Sequence, residues 1–335
     1  MRPGNLSQTV WRRSILKQLH KEKDRAFLKI SEAEMCTALP IDADHILLTA
    51  DEAVCGNTAS IGYYAAIKVI TDLLTRGGTP KLLRARIGFP SSAEEKDVQA
   101  LVKEVREVCE THRVLFAGIR AEVVPSLSQT MIQITGEGTA KKESVLHLEN
   151  VAAGQEIILC GSLALEGMER ILDECEEELS ERFVPAFLRQ MKRLKGNLDQ
   201  SEAIWAAAGY VNAMQPIGSG GILAALWEVA EAAEVGLKAD MSDMSILQET
   251  IEVCEFYRLN PYQMTSAGGI LMFTDQGARL TELMKKAGAR TSRIGCITAE
   301  KARVLINGME TRFLDRPAPD ELAIWQTQRM KQTAE

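Results

Sequence analysis

Histidine is scarce, with four in 335 residues. His20, His45, His112 and His147 all fall in the first half, and no His-rich or His/Cys cluster has zinc-ligand spacing. That pattern argues against a structural zinc site, and no zinc, flavin or haem is expected. The seven cysteines (Cys36, Cys55, Cys109, Cys160, Cys175, Cys254, Cys296) are scattered, odd in number and lack any Cys-x-x-Cys pair, which excludes a disulfide framework and points to reduced, mostly buried thiols. No apolar run approaches the roughly 20 residues that cross a bilayer. Met1 to Lys17 mixes Arg2, Arg12, Arg13 and Lys17 with polar residues and never forms the apolar core of a signal peptide. The chain is therefore expected to be soluble and cytoplasmic, with no membrane partner. A basic excess is missing too: 39 Lys and Arg face 46 Asp and Glu, a net charge of −7. Nucleic acid is not an expected partner, because phosphate contacts need a concentrated basic face.

What remains is an ordinary globular composition, 46% hydrophobic and 25% charged, in a chain longer than one hydrophobic core usually supports. Apolar residues from Val10 to Leu28 recur at helical spacing. His45 to Ala50 reads as a strand, Asp51 to Asn57 as a loop, and Ile61 to Arg76 as a helix stopped by Gly77-Gly78-Thr79-Pro80. Strands over Leu82 to Gly88, Val114 to Ala117 and Thr130 to Gly136 alternate with a helix carrying Val98, Leu101, Val105 and Val108. A second set begins at Glu156 to Cys160 and runs through the helix near Glu166 to Glu178 and the helix Ile222 to Ala233. It ends with Ile270 to Thr274, Ala278 to Ala287, Arg293 to Ile297 and Val304 to Ile306. Strands alternating with helices predict an α/β or α+β architecture. The expected domains are residues 1–150 and 151–325, with a tail, 326–335, and the stretch after Pro317 is expected to be peripheral.

Asp51 closes an apolar strand, where a carboxylate can hold magnesium against a phosphate; a solvated turn acid is the alternative. Asp72 lies in a largely apolar helix (Ile67, Val69, Ile70, Leu73, Leu74), where a carboxylate needs a partner or a metal unless it shares a polar face with Lys68 and Arg76. Gly218-Ser219-Gly220-Gly221 precedes a helix and can cradle an anion on its backbone N–H groups. It matches neither Gly-x-Gly-x-x-Gly nor a Walker loop, so a tight turn is the competing reading. Ser162, Ser219 and Ser266 have no histidine in their half of the chain, which disfavours a Ser-His-Asp hydrolase.

Taken in order, Thr49-Ala50-Asp51-Glu52, Ile70-Thr71-Asp72-Leu73 with Gly77-Gly78-Thr79-Pro80, Ala117-Gly118 with Glu122-Val123-Val124-Pro125, and Met214 with Gly220-Gly221-Ile222-Leu223 resemble the motifs of the aminoimidazole ribonucleotide (AIR) synthetase, or PurM-like, superfamily. Pro3-Gly4-Asn5-Leu6-Ser7 and Leu259-Asn260-Pro261 extend the resemblance over nearly the whole chain, and within the superfamily it is closest to the HypE hydrogenase-maturation family. The resemblance implies an N-terminal α/β domain that dimerises through its sheet, a C-terminal α+β domain and a nucleotide cleft between them. It further implies ATP with Mg2+, and activation of a substrate oxygen by phosphorylation. Carried over by position, Asp51 and Asp72 are the expected metal and nucleotide carboxylates, and Gly118, Arg120, Gly220 and Gly221 are further expected nucleotide or phosphate contacts.

The departures bear on mechanism. Met35 or Cys36 stands where the family has a metal-binding Asp, Ile119-Arg120-Ala121 replaces a polar stretch, and Met214-Gln215-Pro216 replaces Met-His-Asp. The tail Gln326 to Glu335 lacks the cysteine that carries the substrate group in HypE-type proteins. Arg120 is expected to bind phosphate in place of metal charge. Two further readings stand beside the HypE-like one: a catalytically degenerate binding or assembly protein of the same fold, and a true AIR synthetase, selenophosphate synthetase or thiamine-phosphate kinase.

Overall fold

The structure, a computed structural model, describes residues 3–23 and 25–334. The chain forms two compact units: Met35–Val145 with Arg170–Leu188, and Met1–Glu34 with Leu146–Glu169 and Arg189–Glu335. The sequence led us to expect two contiguous domains meeting at residue 150; instead the chain passes between the units four times. Packing explains both exchanges. Ala33 belongs to the hydrophobic core of the second unit, and Lys29 Nζ donates to the Ala232 carbonyl at 2.8 Å. Tyr64 donates to Asp173 Oδ2 at 2.7 Å and Arg170 to the Cys55 carbonyl at 2.8 Å, holding residues 170–188 to the first unit.

The N-terminal residues form short helices α1 (Gln8–Trp11) and α2 (His20–Lys23) around a π-helical turn, Arg12–Leu16. This replaces the single helix expected from Val10 to Leu28, of which Asp24 lies outside the described residues. No residue from Gln8 to Leu16 is fully buried, so tertiary packing supplies little of the support that a long helix needs.

In the first unit, strands β1 (Cys36–Pro40), β2 (His45–Gly56), β3 (Thr79–Phe89), β4 (Leu115–Val123) and β5 (Thr130–Lys141) make one sheet in the order β1-β2-β5-β3-β4. Only the β3/β4 pair is parallel. Helices α3 (Ile61–Thr75) and α4 (Glu95–His112) cover one face. Alternation along β2 sets the sides: Ile46, Leu48, Ala50 and Val54 are buried, whereas Asp51, Ala53 and Cys55 are exposed on the other face. A Cβ on Gly62 of α3 would lie 2.9 Å from the Leu101 carbonyl oxygen of α4, so the glycine permits close helix contact.

The second unit holds a seven-stranded sheet in the order β12-β11-β8-β10-β6-β9-β7. Its strands are β6 (Glu156–Cys160), β7 (Ala213–Pro216), β8 (Gly236–Asp240), β9 (Ile270–Thr274), β10 (Thr291–Thr298), β11 (Arg303–Asn307) and β12 (Glu310–Phe313). Its helices include α7 (Ser201–Ala207), α8 (Gly221–Ala232), α9 (Gln248–Tyr257), α10 (Gly277–Lys286) and α11 (Glu321–Ala334), while α5 (Leu165–Arg182) and α6 (Pro185–Arg193) run across the division between units. Leu226, Val229 and Ala230 of α8 pack with Ile157, Leu159, Leu237 and Leu271 of the sheet. The end of the chain is not peripheral, as the sequence had suggested. Leu322 and Trp325 of α11 are 2% and 3% exposed, and the Trp325 ring meets Tyr257 edge-on at 5.7 Å. Among the described residues no helix is long and apolar enough to cross a membrane, and all seven cysteines are free.

Candidate functional site

Asp51 lies within β2 and not at a strand end, because β2 continues to Gly56. Alternation turns it to the uncovered face, where Gln133 Nε2 donates to Oδ2 at 3.4 Å. Asp51, Thr135, Arg84 and Gly118 are successive register partners across the sheet. At about 4.8 Å per strand, Asp51 and Gly118 are roughly 14 Å apart. Arg120 occupies the adjacent row beside Arg86, which binds Glu122 at 2.8 Å. The uncovered face thus gathers Asp51, Gly118 and Arg120 with the guanidinium groups of Arg84 and Arg86.

Asp72 stands apart from this set. It is 3% exposed on α3, which packs on the opposite face of the sheet. The Cys36 thiol donates to its backbone carbonyl at 3.4 Å, so the position where the family places an acid abuts Asp72 but carries sulfur. The sheet lies between the carboxylates of Asp51 and Asp72, and no group of three His, Cys, Asp or Glu side chains able to hold a metal occurs among the described residues. These residues do not fit a magnesium ion held jointly by Asp51 and Asp72.

The glycine turn of the second unit adopts left-handed backbone at Gly220 (φ +85) and Gly221 (φ +67). A Cβ on Gly221 would stand 2.5 Å from the Tyr262 carbonyl oxygen, so close approach requires glycine there. The Gly220 N–H already has an anionic partner: it donates to Asp320 Oδ2 at 2.7 Å. The other Asp320 oxygen accepts from Leu322 and Ala323 N–H groups at 2.9 and 3.2 Å, capping α11. Burial raises the Asp320 pKa, partly offset by these hydrogen bonds and reinforced by the charge of Glu166. Beside the turn, Asn5, Ser7, Ser219, Gly220 and Pro317 border a cavity of about 370 Å³.

Glu166 and Asp320 were missed from the sequence. Glu166 is fully buried, and its Oε2 accepts from Thr265 Oγ1 at 2.6 Å and Ala267 N at 3.1 Å. The signals were there: an acid inside Leu163-Ala164-Leu165-Glu166-Gly167-Met168, and Pro319-Asp320 heading a helical run. Ser266 has a structural role, donating to the Met264 carbonyl and accepting from Ala164 N. Burial pushes the thiols of Cys160 and Cys254 up to about 12, far from nucleophilic reactivity at neutral pH.

Residues 152–307 match the family described as AIR synthase related protein, C-terminal domain. Those residues form an AIR synthase-related C-terminal domain, and the two-sheet architecture above is the PurM-like fold also seen in solved HypE structures. Relatives that the chain resembles include HypE proteins. It is 22% identical over 328 residues to a putative hydrogenase expression/formation protein of Methanocaldococcus jannaschii, covering 95% of this chain and 96% of the relative. It is also 22% identical over 293 residues to carbamoyl dehydratase HypE of Rhizobium leguminosarum bv. viciae, covering 84% and 81%. The fold superposes on HypE of E. coli with a TM-score of 0.71 at 18% identity, over 92% of this chain and 100% of that one. A HypE structure in complex with ATP matches with a TM-score of 0.67 at 14% identity, over 92% and 96%.

Proposed function

We propose that this chain is a HypE-like protein that binds ATP, or another phosphorylated small molecule, and uses it to activate a substrate oxygen by phosphorylation, acting as a cytoplasmic homodimer in hydrogenase maturation. The observation that carries the reading is the likeness, along nearly the whole chain, to a HypE fold crystallised with ATP. Arg120 supplies positive charge for a phosphate group, since a guanidinium can grip two phosphate oxygens at once where a metal would otherwise supply the charge. Gly118 leaves the backbone beside it open, with no heavy atom within 4 Å of where a Cβ would stand. Asp72 and Gly221 contribute through the shape of their segments. Gly220 can meet a ligand only through what its engaged N–H leaves free. Magnesium enters as the counter-ion of the triphosphate, not as an ion shared by Asp51 and Asp72.

Phosphoryl transfer depends on positioning and electrostatic stabilisation more than on covalent participation by the protein. This chain's contribution is then to fix the phosphates and exclude water. Loss of a charge-assisted hydrogen bond removes about 1.5–3 kcal/mol, so Arg120→Ala should weaken ATP binding by at least about tenfold in a calorimetric titration. Unchanged affinity would remove Arg120 from the site. Dimerisation is assigned to the uncovered sheet face, where Leu39 and Leu115 remain 64% exposed on the strands at its two edges.

A further inference from the structure

The N-terminal segment of the second unit meets α8 through a cluster that the proposed nucleotide chemistry does not use. Two cavities, of about 410 and 370 Å³, lie along this contact, and Glu32 and Glu228 line both of them. Glu32 belongs to the chain returning from the N-terminal helices, and Glu228 projects from α8. Gln8 lies close enough to Glu32 to favour its ionised form. The cations nearby are directed elsewhere: Arg12 and Arg303 both bind Glu231, and the Arg303 guanidinium lies 4.0 Å above the Trp227 ring. Lys29 donates to the Ala232 carbonyl and faces Glu149 and Glu234 at 3.7 and 3.8 Å. Lys301 completes the charged lining of the larger cavity, and the smaller one has no charged lining besides Glu32 and Glu228.

We propose that Glu32 and Glu228 form a proton-dependent latch that holds residues 5–16 and 29–34 against α8, closed while the pair retains a proton and loosened when both carboxyls ionise. Burial, followed by the charge of Glu32, pushes Glu228 up to about 8 from the usual 4.5. Burial also raises Glu32, against the lowering influence of Gln8 and Arg12. Glu231 opposes the trend: burial disfavours its charge, but hydrogen bonds from Arg12 and Arg303 outweigh burial and hold its pKa down. It therefore stays ionised as the fixed anchor of the contact.

The sign follows from linkage. A detached segment leaves Glu228 in water with its usual value, and the docked segment raises it. Docking is thus strongest below pH 4.5, weakens as pH climbs toward about 8, and levels off above that. With one proton lost per opening, the detachment constant can rise by up to about tenfold per pH unit inside this window.

The test is hydrogen exchange on the full chain at several pH values from about 6 to 8.5, with protection factors corrected for the pH dependence of intrinsic exchange. Amides of residues 8–16 should lose at least about tenfold in protection across that range, while amides of β6 hold theirs. Glu228→Gln should keep the segment protected and its protection flat with pH. Glu32→Gln, an independent and milder change, should end the loss of protection at lower pH and shrink its total, because removing the neighbouring negative charge lowers Glu228 toward its usual value and weakens the penalty that its ionisation imposes. Flat wild-type protection, an unaltered loss in both variants, or a parallel loss in β6 would each overturn the latch.

Discussion

At the scale of single residues, Asp320 and Gly221 carry the sharpest expectations. Asp320 serves two helices at once, accepting from Gly220 ahead of α8 and from the first turn of α11. Asp320→Ala leaves buried N–H groups without their acceptor and should lower unfolding stability by about 1–3 kcal/mol in urea titration. Gly221→Ala should cost a similar amount, about 1–3 kcal/mol, since it combines left-handed backbone with a Cβ 2.5 Å from the Tyr262 oxygen. Wild-type stability in either variant would contradict the geometry described. Pro319-Asp320 ahead of a helical run was an unread cap signal, whereas the reach of Asp320 to Gly220, 100 residues away, has no local signal at all. Local sequence does not encode which distant backbone a side chain will find. For the same reason the glycine run left both an anion cradle and a tight turn open, and its filled N–H could only be seen in three dimensions.

At the scale of elements, the sequence was most informative where burial on both faces demands a continuous apolar run. Glu156 to Cys160 and Ile270 to Thr274 were legible to the residue as β6 and β9, whose side chains are almost wholly buried. It was least informative at edges. β1 and β12 escaped because they are short, mostly exposed edge strands with little apolar alternation. The strand holding Asp51 was read as ending six residues early. Its polar residues alternate with buried ones on one face only, and Asp51-Glu52 imitates a turn. That misreading placed Asp51 at a strand end and not inside the sheet. The terminal helix α11 was undervalued for a related reason: three buried residues, Asp320, Leu322 and Trp325, carry its docking, within an otherwise polar segment. Trp325→Ala should therefore cost about 3–5 kcal/mol, visible as a lower midpoint in thermal or urea unfolding. A shift of a few tenths would mean that α11 is dispensable to the second unit.

For the whole molecule, the class was readable from an ordered set of short motifs, and the partition of the chain was not, because residues 3–34 and 170–188 join units by packing and not by adjacency. The uncovered sheet face predicts association: Thr135→Arg, placed midway across it beside Arg84, should shift the protein from dimer to monomer in light scattering. A wild-type monomer would remove the dimer from the proposal. The central claim is nucleotide recognition by a HypE-like fold whose carboxylates do not share one magnesium ion. The measurement that tests it most directly is calorimetric titration of nucleotide-free protein with ATP, with and without magnesium, on the wild type and on Arg120→Ala. The account predicts one-site binding that persists in a measurable form without magnesium and weakens by about tenfold or more in the variant. Absence of ATP binding in both conditions, or binding abolished without magnesium and indifferent to Arg120, would contradict it.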